Sequence, residues 1–376
     1  MKQIPPVDLA RQYHLIREEI EAAALEVLSS GRYIGGAIVS DFEKQFANYV
    51  GVSECVACNS GTDALYLTLR ALNIGQGDEI ITTPFTFFAT AEIISRVGAK
   101  PVFVDIDTKT FNIDVDLVEA AITSQTKAIL PVHLFGQPID MTRLCAMAHK
   151  YNLIVIEDCA QATGAQWADK TVGSIGQVGC FSFFPTKNLG ACGDGGAVTT
   201  NDPAIAKSIR LLKEHGMSDR YLHDEIGLNS RLDTIQAAIL QVKLRHLDSW
   251  NQQRAELAAV YDRLLQPLPG IELPQALAGG KHVWNQYTIR IRDREDCNRP
   301  YRDIVREKLQ HLGIMSMVYY PIPLHLQPVY KELGYQLGQL PEADRAAREV
   351  LSLPLFPTLS FEEQQQVVYG LKDHLT

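Results

Sequence analysis

The chain has 376 residues, 46% of them hydrophobic and 21% charged. It is long enough to bury a sizeable core and too ordinary in composition for a disordered or fibrous protein. Its 35 basic and 44 acidic groups leave a net charge of −9, a surface that repels phosphate backbones and argues against a nucleic-acid partner. The seven cysteines, odd in number and scattered along the chain, read as reduced thiols of a cytoplasmic protein and not as a disulfide framework. Cys55-Val-Ala-Cys58 lacks the second pair that a four-ligand zinc site needs, so it reads as a buried strand and no metal is expected. The opening residues, MKQIPPVDLARQYH, hold no apolar signal region, and no run of 18 apolar residues occurs. Neither secretion nor a membrane span is expected.

Apolar spacing predicts an amphipathic helix over 15–28, stopped by Ser29-Ser30-Gly31. From 55 to 200, short apolar strands alternate with helices. The predicted order is strand 55–58, helix 63–72, strand 79–83, helix 88–97, strands 101–105 and 127–132, helix 141–150 and strand 153–157. Nearly continuous apolar runs suit strands buried on both faces of a mostly parallel sheet. The alternation predicts a doubly wound α/β domain. After Asp233 a long helical pattern leads to a smaller α+β unit, made of 284–292, a helix near 301–312 and the segment 315–319. The expected division is a large domain over 1–250 and a small C-terminal domain over 251–376.

Parallel α/β sheets bind ligands beyond the carboxyl ends of their strands, so the residues after each strand are the candidates. After 55–58 comes Asn59-Ser60-Gly61-Thr62-Asp63, where small and hydroxyl residues open a helix. Free backbone N–H groups at such an end attract a phosphate, although alone this stretch reads as a plain N-cap. After 79–83 comes PFTFFAT, whose aromatics suit stacking on a flat ring or, taken alone, core packing. After 153–157 comes Asp158, a carboxylate that burial would make costly without a partner. A protonated pyridine nitrogen is such a partner, and so is an ordinary salt bridge or cap. Then GCFSFFPTKNLG places Lys187 behind an apolar strand and before a glycine-rich turn. A lysine held among apolar groups loses its proton more easily and becomes a candidate for Schiff-base chemistry. Ser182 is placed to hydrogen-bond a phosphate. Together these pieces meet the needs of pyridoxal phosphate: an amine, an acid for the ring nitrogen, a phosphate cradle and a stacking aromatic. The nucleotide-binding signatures G-x-G-x-x-G and G-x-x-x-x-G-K-[ST] are absent from the strand–helix junctions, and G-x-S-x-G is absent too.

The strings SGTDAL, TPFTFFAT, IEDCAQATGA, FSFFPTKNLGACGDGGAV, GLNSRLDTIQAAIL and YYPIPLHLQP resemble the DegT-type sugar aminotransferases. The resemblance runs from about GRYIGG onward and covers nearly the whole chain. It implies an aspartate-aminotransferase-like fold, the type I fold of pyridoxal-phosphate-dependent transferases, and a reaction on nucleotide-linked keto sugars. Lys187 matches the lysine that binds the cofactor covalently, Asp158 the partner of the pyridine nitrogen, and Gln161 the neighbour of the 3-hydroxyl. Gly61, Thr62 and Ser182 match phosphate contacts. Phe87 matches the stacking aromatic, with Phe88 adjacent. Asn229 matches a phosphate contact lent by a neighbouring subunit, which implies a homodimer with shared sites. Arg231 matches a residue near the carboxylate of the donor or of a sugar acid. Tyr320 and His325 match substrate-pocket residues.

The resemblance further implies two half-reactions. An amino group passes from glutamate to the cofactor, and then to the sugar, with Lys187 as general base and acid. Some members carry histidine in place of the lysine and act as dehydratases; the lysine is present here. R-L-D at 231–233 and YPIPLHLQP resemble members acting at sugar C3 more than those acting at C4, so a 3-keto sugar linked to a uridine or thymidine nucleotide is expected, for amino-sugar or polysaccharide synthesis. The alternatives are a 4-keto sugar, a dehydratase or lyase of the same fold, and a non-catalytic regulatory member.

Overall fold

The computed structural model describes residues 3–294 and 297–375. Helices α1 (Leu9–Leu15), α2 (Arg17–Ser30) and α3 (Ala37–Val50) precede the first strand. The amphipathic pattern over 15–28 falls almost wholly in α2. The chain leaves helical geometry at Ile16, with φ −125 and ψ 23, where that side chain turns into the interior.

Seven strands form one sheet: β1 (Glu54–Cys58), β2 (Glu79–Thr82), β3 (Lys100–Phe103), β4 (Thr126–Leu130), β5 (Ile154–Asp158), β6 (Val178–Ser182) and β7 (Gly196–Thr200). Their order is β1-β7-β6-β5-β4-β2-β3. The ladders from β6 through β5, β4 and β2 to β3 are parallel, and β7 runs antiparallel to both of its neighbours. Every residue of β2, β6 and β7 is buried, because helices cover both faces. Alternate strand residues enter opposite layers, as the pleat requires. Ile80 packs with Leu65, Leu69, Ile94 and Ile209 from α4 (Gly61–Ala71), α5 (Ala89–Arg96) and α7 (Pro203–Leu212). Its neighbour Ile81 packs with Ile129, Val155 and Leu144 of α6 (Met141–Lys150). The doubly wound expectation describes this sheet. β7 escaped it because GAVTT follows directly on the glycine-rich turn and reads as part of it.

Helix α8 (Thr234–Leu265) serves two cores. Ala237, Leu240 and Leu247 join Phe42, Phe46 and Phe181 against the large sheet. Ala258, Tyr261 and Leu265 join a C-terminal cluster with Tyr287, Val305, Leu351 and Leu371. That second unit has a sheet of β8 (Ile271–Glu272), β9 (Tyr287–Ile291) and β10 (Val350–Leu353), all antiparallel. It also has helices α9 (Tyr301–His311), α10 (Pro341–Glu349) and α11 (Phe361–Leu375). The segment 315–319 meets this sheet through the single bridge Met317↔Ser352. Ile4 pairs with Ile314 and is buried in the same cluster, so the N-terminal segment packs on the C-terminal unit. Among the described residues no helix is long and apolar enough to cross a membrane.

Candidate active site

Asp158 ends β5, and its backbone pairs with the segment that follows β4: its N–H donates to Pro131 O at 2.9 Å and its carbonyl accepts His133 N–H at 3.0 Å. The side chain is 5% exposed. Thr90 donates its hydroxyl to Oδ2 at 2.9 Å and Ala160 N–H donates to Oδ1 at 3.1 Å. Burial raises the pKa of this carboxyl, opposed by these two hydrogen bonds and by the charge of Lys187.

Lys187 lies in the connection between β6 and β7. Antiparallel neighbours need no crossover helix, so residues 183–195 return directly along the strand ends. Phe183 N–H donates to Gly195 O, and Ala191 N–H to Phe183 O, both at 2.7 Å. Beside the lysine, Asn188 is buried. Its Nδ2 donates to Asn251 Oδ1 on α8 at 2.7 Å and to Val283 O at 2.9 Å, and its Oδ1 accepts from Asn285 Nδ2 at 2.9 Å. The turn is thus tied to the long helix and to the entry of the C-terminal unit. The Lys187 amine makes no hydrogen bond among the described residues. Desolvation lowers its pKa to about 8, with Asp158 pulling the other way.

The start of α4 lies against the end of β6. Ser60 caps the helix by accepting Asp63 N–H at 3.1 Å. A Cβ at Gly61 would stand 2.6 Å from Ser182 Cβ, and one at Gly196 would stand 2.3 Å from Ser60 O. Only glycines let the two segments meet, and this close approach keeps Gly61, Thr62 and Ser182 together with the helix N-terminus open. The motif read from the sequence as a plain cap or a phosphate site forms the cap in the structure.

Gln161 joins this group. Phe135 N–H donates to Gln161 Oε1 at 2.7 Å, and Gln161 Nε2 donates to Tyr320 OH at 3.1 Å, so the orientation of the amide follows from its partners. Phe135 holds a positive φ of 58°. The Tyr320 ring lies 6.1 Å from Phe85 and 6.5 Å from Phe87. Burial and the nearby Asp158 charge raise the phenol's pKa. Phe87 is 58% exposed and available for stacking, whereas Phe88 packs on Tyr330.

The remaining expected residues stand apart. Asn229 is exposed and bridges Glu214; the next residue, Ser230, donates to Asn59 Oδ1 at 3.3 Å. Arg231 Nη1 lies 3.3 Å from Glu214 Oε2, and its Nε is buried without a hydrogen-bond partner among the described residues. His325 is buried, with Nε2 3.1 Å from Asp344 Oδ1 and its ring on Tyr335. Its contacts are with the C-terminal unit and not with the Lys187–Asp158 group.

Sequence reasoning missed Thr90, Asn188 and Phe135. The i, i+4 spacing of Thr86 and Thr90 was visible, but nothing marked them as facing a carboxylate. Behind the site, His133, Glu157 and Cys159 come within 4.8 Å of one another. Glu157 accepts His133 Nε2–H at 3.0 Å and the N–H groups of Gly173, Ile175 and Gly176. Ile139 N–H occupies His133 Nδ1. That network occupies both imidazole nitrogens of His133 and both carboxylate oxygens of Glu157.

The chain is 51% identical over 367 residues to the "Pleiotropic regulatory protein" of Geobacillus stearothermophilus, covering 97% of this chain and 96% of that one. It is 46% identical over 360 residues to the UDP-N-acetyl-3-dehydro-alpha-D-glucosamine 3-aminotransferase of Acidithiobacillus ferrooxidans, covering 96% and 95%. The crystal structure of S. venezuelae DesV in complex with ketimine intermediate superposes with a TM-score of 0.95 at 42% identity, covering 99% of this chain and 98% of that one. With residues 14–372 matched by its sequence profile, the chain belongs to the DegT/DnrJ/EryC1/StrS aminotransferase family.

Proposed function

We propose that the protein is a pyridoxal-phosphate-dependent aminotransferase. It moves the amino group of glutamate to C3 of a keto sugar linked to a uridine or thymidine nucleotide, among the reduced thiols of the cytoplasm. The observation that carries this reading is a desolvated lysine amine beside a buried carboxylate, next to a helix N-terminus cleared by Gly61. The residues present fit the cofactor. The Lys187 amine has no competing hydrogen bond, and the Asp158 oxygens each accept one hydrogen bond and retain lone pairs. Gly61 and Thr62 N–H groups with Ser182 Oγ would hold the phosphate, Asp158 the ring N–H, Gln161 the 3-hydroxyl, and Phe87 the ring face. When bound, pyridoxal phosphate supplies an electron-accepting ring that lets an amino acid lose its α-proton.

Lys187 Nζ would take the proton from the donor's α-carbon, and in the second half-reaction would give a proton to the sugar carbon that receives the amino group. A pKa of about 8 suits an amine that must act in both directions. Over the cycle glutamate becomes 2-oxoglutarate and the sugar ketone becomes an amine. Arg231, with an unpartnered N–H, serves a carboxylate, and Tyr320 faces the sugar. R-L-D at 231–233 and the 3-keto substrate in the name of the Acidithiobacillus relative support C3.

A second copy of the chain completes each site. Asn229 is exposed, and Tyr33, Ile34 and Phe184 present exposed apolar surface that a C₂ partner would cover. The division near residue 250 then separates a cofactor-holding unit from a substrate-closing one.

Glutamate should convert the protein-bound cofactor's visible absorbance. Added UDP- or dTDP-linked 3-keto sugar should then return it with formation of an amino sugar, while 4-keto sugars leave it unchanged. Borohydride reduction and peptide mapping should label Lys187, and Lys187→Ala should abolish both steps. A protein that takes up no cofactor would sink the reading in favour of a regulatory member. Loss of water from the sugar without amination would favour a dehydratase.

A further inference from the structure

Two buried threonines, matched to no role above, stand behind the acid. Thr90 and Thr86 are 1% and 3% exposed. The hydroxyl of Thr90 is 2.9 Å from Asp158 Oδ2 and 3.2 Å from Thr86 Oγ1. A threonine hydroxyl has one proton. The carboxylate can only accept, so Thr90 spends its proton on Asp158 and Thr86 must donate to Thr90. Thr86 lies in the bend that precedes α5 and Thr90 in that helix's first turn. The relay therefore has one direction, from Thr86 to Thr90 to Oδ2.

We propose that Thr90, oriented by Thr86, is a positioning residue that fixes the Asp158 carboxylate as an anion aimed at the cofactor's ring nitrogen. The proposal rests on the pyridoxal-phosphate reading above. A buried carboxylate stripped of a donor becomes more basic. It then holds the shared proton itself instead of leaving it on the ring nitrogen, and the ring accepts electrons less well. Ala160 N–H on Oδ1 orients the group but cannot replace the lost donor on Oδ2.

The test uses holoenzyme carrying pyridoxal phosphate labelled with nitrogen-15 at the ring, with Thr90→Val, Thr90→Ser and Thr86→Val. Thr90→Val should move the ring-nitrogen resonance toward the unprotonated position and weaken uptake of pyridoxal phosphate by apoprotein about tenfold. Thr90→Ser should restore both readouts, and Thr86→Val should shift them part way. If Thr90→Val proves unstable, the Thr86→Val resonance decides the matter on its own. An unmoved resonance in the folded variants, with wild-type protein taking up cofactor at Lys187, overturns this proposal alone. Wild-type protein that takes up no cofactor overturns the functional reading with it.

Discussion

Lys187 shows how one side chain's chemistry follows from its surroundings. The apolar run before it and the turn pinned by Asn188 remove water from the amine, and loss of water disfavours the charged form. An ordinary lysine titrates near 10.4 and is about 0.04% neutral at pH 7; at a pKa of about 8 the neutral fraction is roughly a tenth. Capture of pyridoxal phosphate by apoprotein should therefore accelerate as pH rises toward 8 and level off above it, followed by stopped-flow absorbance. A rate still climbing at pH 10 would show an unperturbed amine. Asp158 is the counterpart, a charge kept in a buried place by two donors. The positions of Lys187, Asp158 and the Gly61–Thr62 turn were legible in the sequence because each follows an apolar strand. Thr90 was not, since its role depends on a strand 68 residues further along the chain.

Helices and strands here are set largely by their ends. Ser60 caps α4 within the segment that forms it, a local event readable from sequence. Helix α10 is capped from a distance. Its preceding residue, Leu340, offers no side-chain cap. Asp105, just beyond β3, accepts Glu342 N–H through Oδ2 and Ala343 N–H through Oδ1, each at 2.9 Å. One carboxylate thus satisfies two orphan donors, complements the helix dipole and joins the large sheet to the C-terminal unit. Asp105→Ala should cost about 2 kcal/mol, with Asp105→Asn intermediate, read from denaturant unfolding. An unchanged midpoint for Asp105→Ala would mean that water serves the helix end equally well. The position of β7 belongs to the same scale. Its five residues suit a strand, but only the sheet decides that they run antiparallel between β1 and β6 and so return the lysine turn to the strand ends.

At the scale of the molecule, two cores share α8, and the join between them contains His282. Its ring stacks on Trp284 at 3.8 Å, and its Nδ1 accepts Trp284 N–H at 2.9 Å. Burial lowers its pKa to about 3. A histidine depressed in the folded state binds its proton more readily when unfolded. Its contribution to stability is thus complete above about pH 6.5 and is lost as pH falls toward 3. For this partly exposed ring the loss between pH 7 and pH 5 should be about 1 kcal/mol, and His282→Phe should flatten that part of the stability curve. Equal pH slopes for the two proteins would assign acid sensitivity to other groups.

By itself the sequence determined the alternation of strands and helices, the long helix after Asp233, and which lysine, acid and small residues stand at the strand ends. These are set by local periodicity and by residue type at strand ends. Tertiary structure alone decided which groups meet. It brought Thr90 to Asp158, tied the lysine turn to Asn251 and Asn285, turned His325 toward Asp344, and packed Ile4 beside Ile314. Each is a contact between residues far apart in the chain. Its geometry is fixed by packing across layers, which no local pattern encodes.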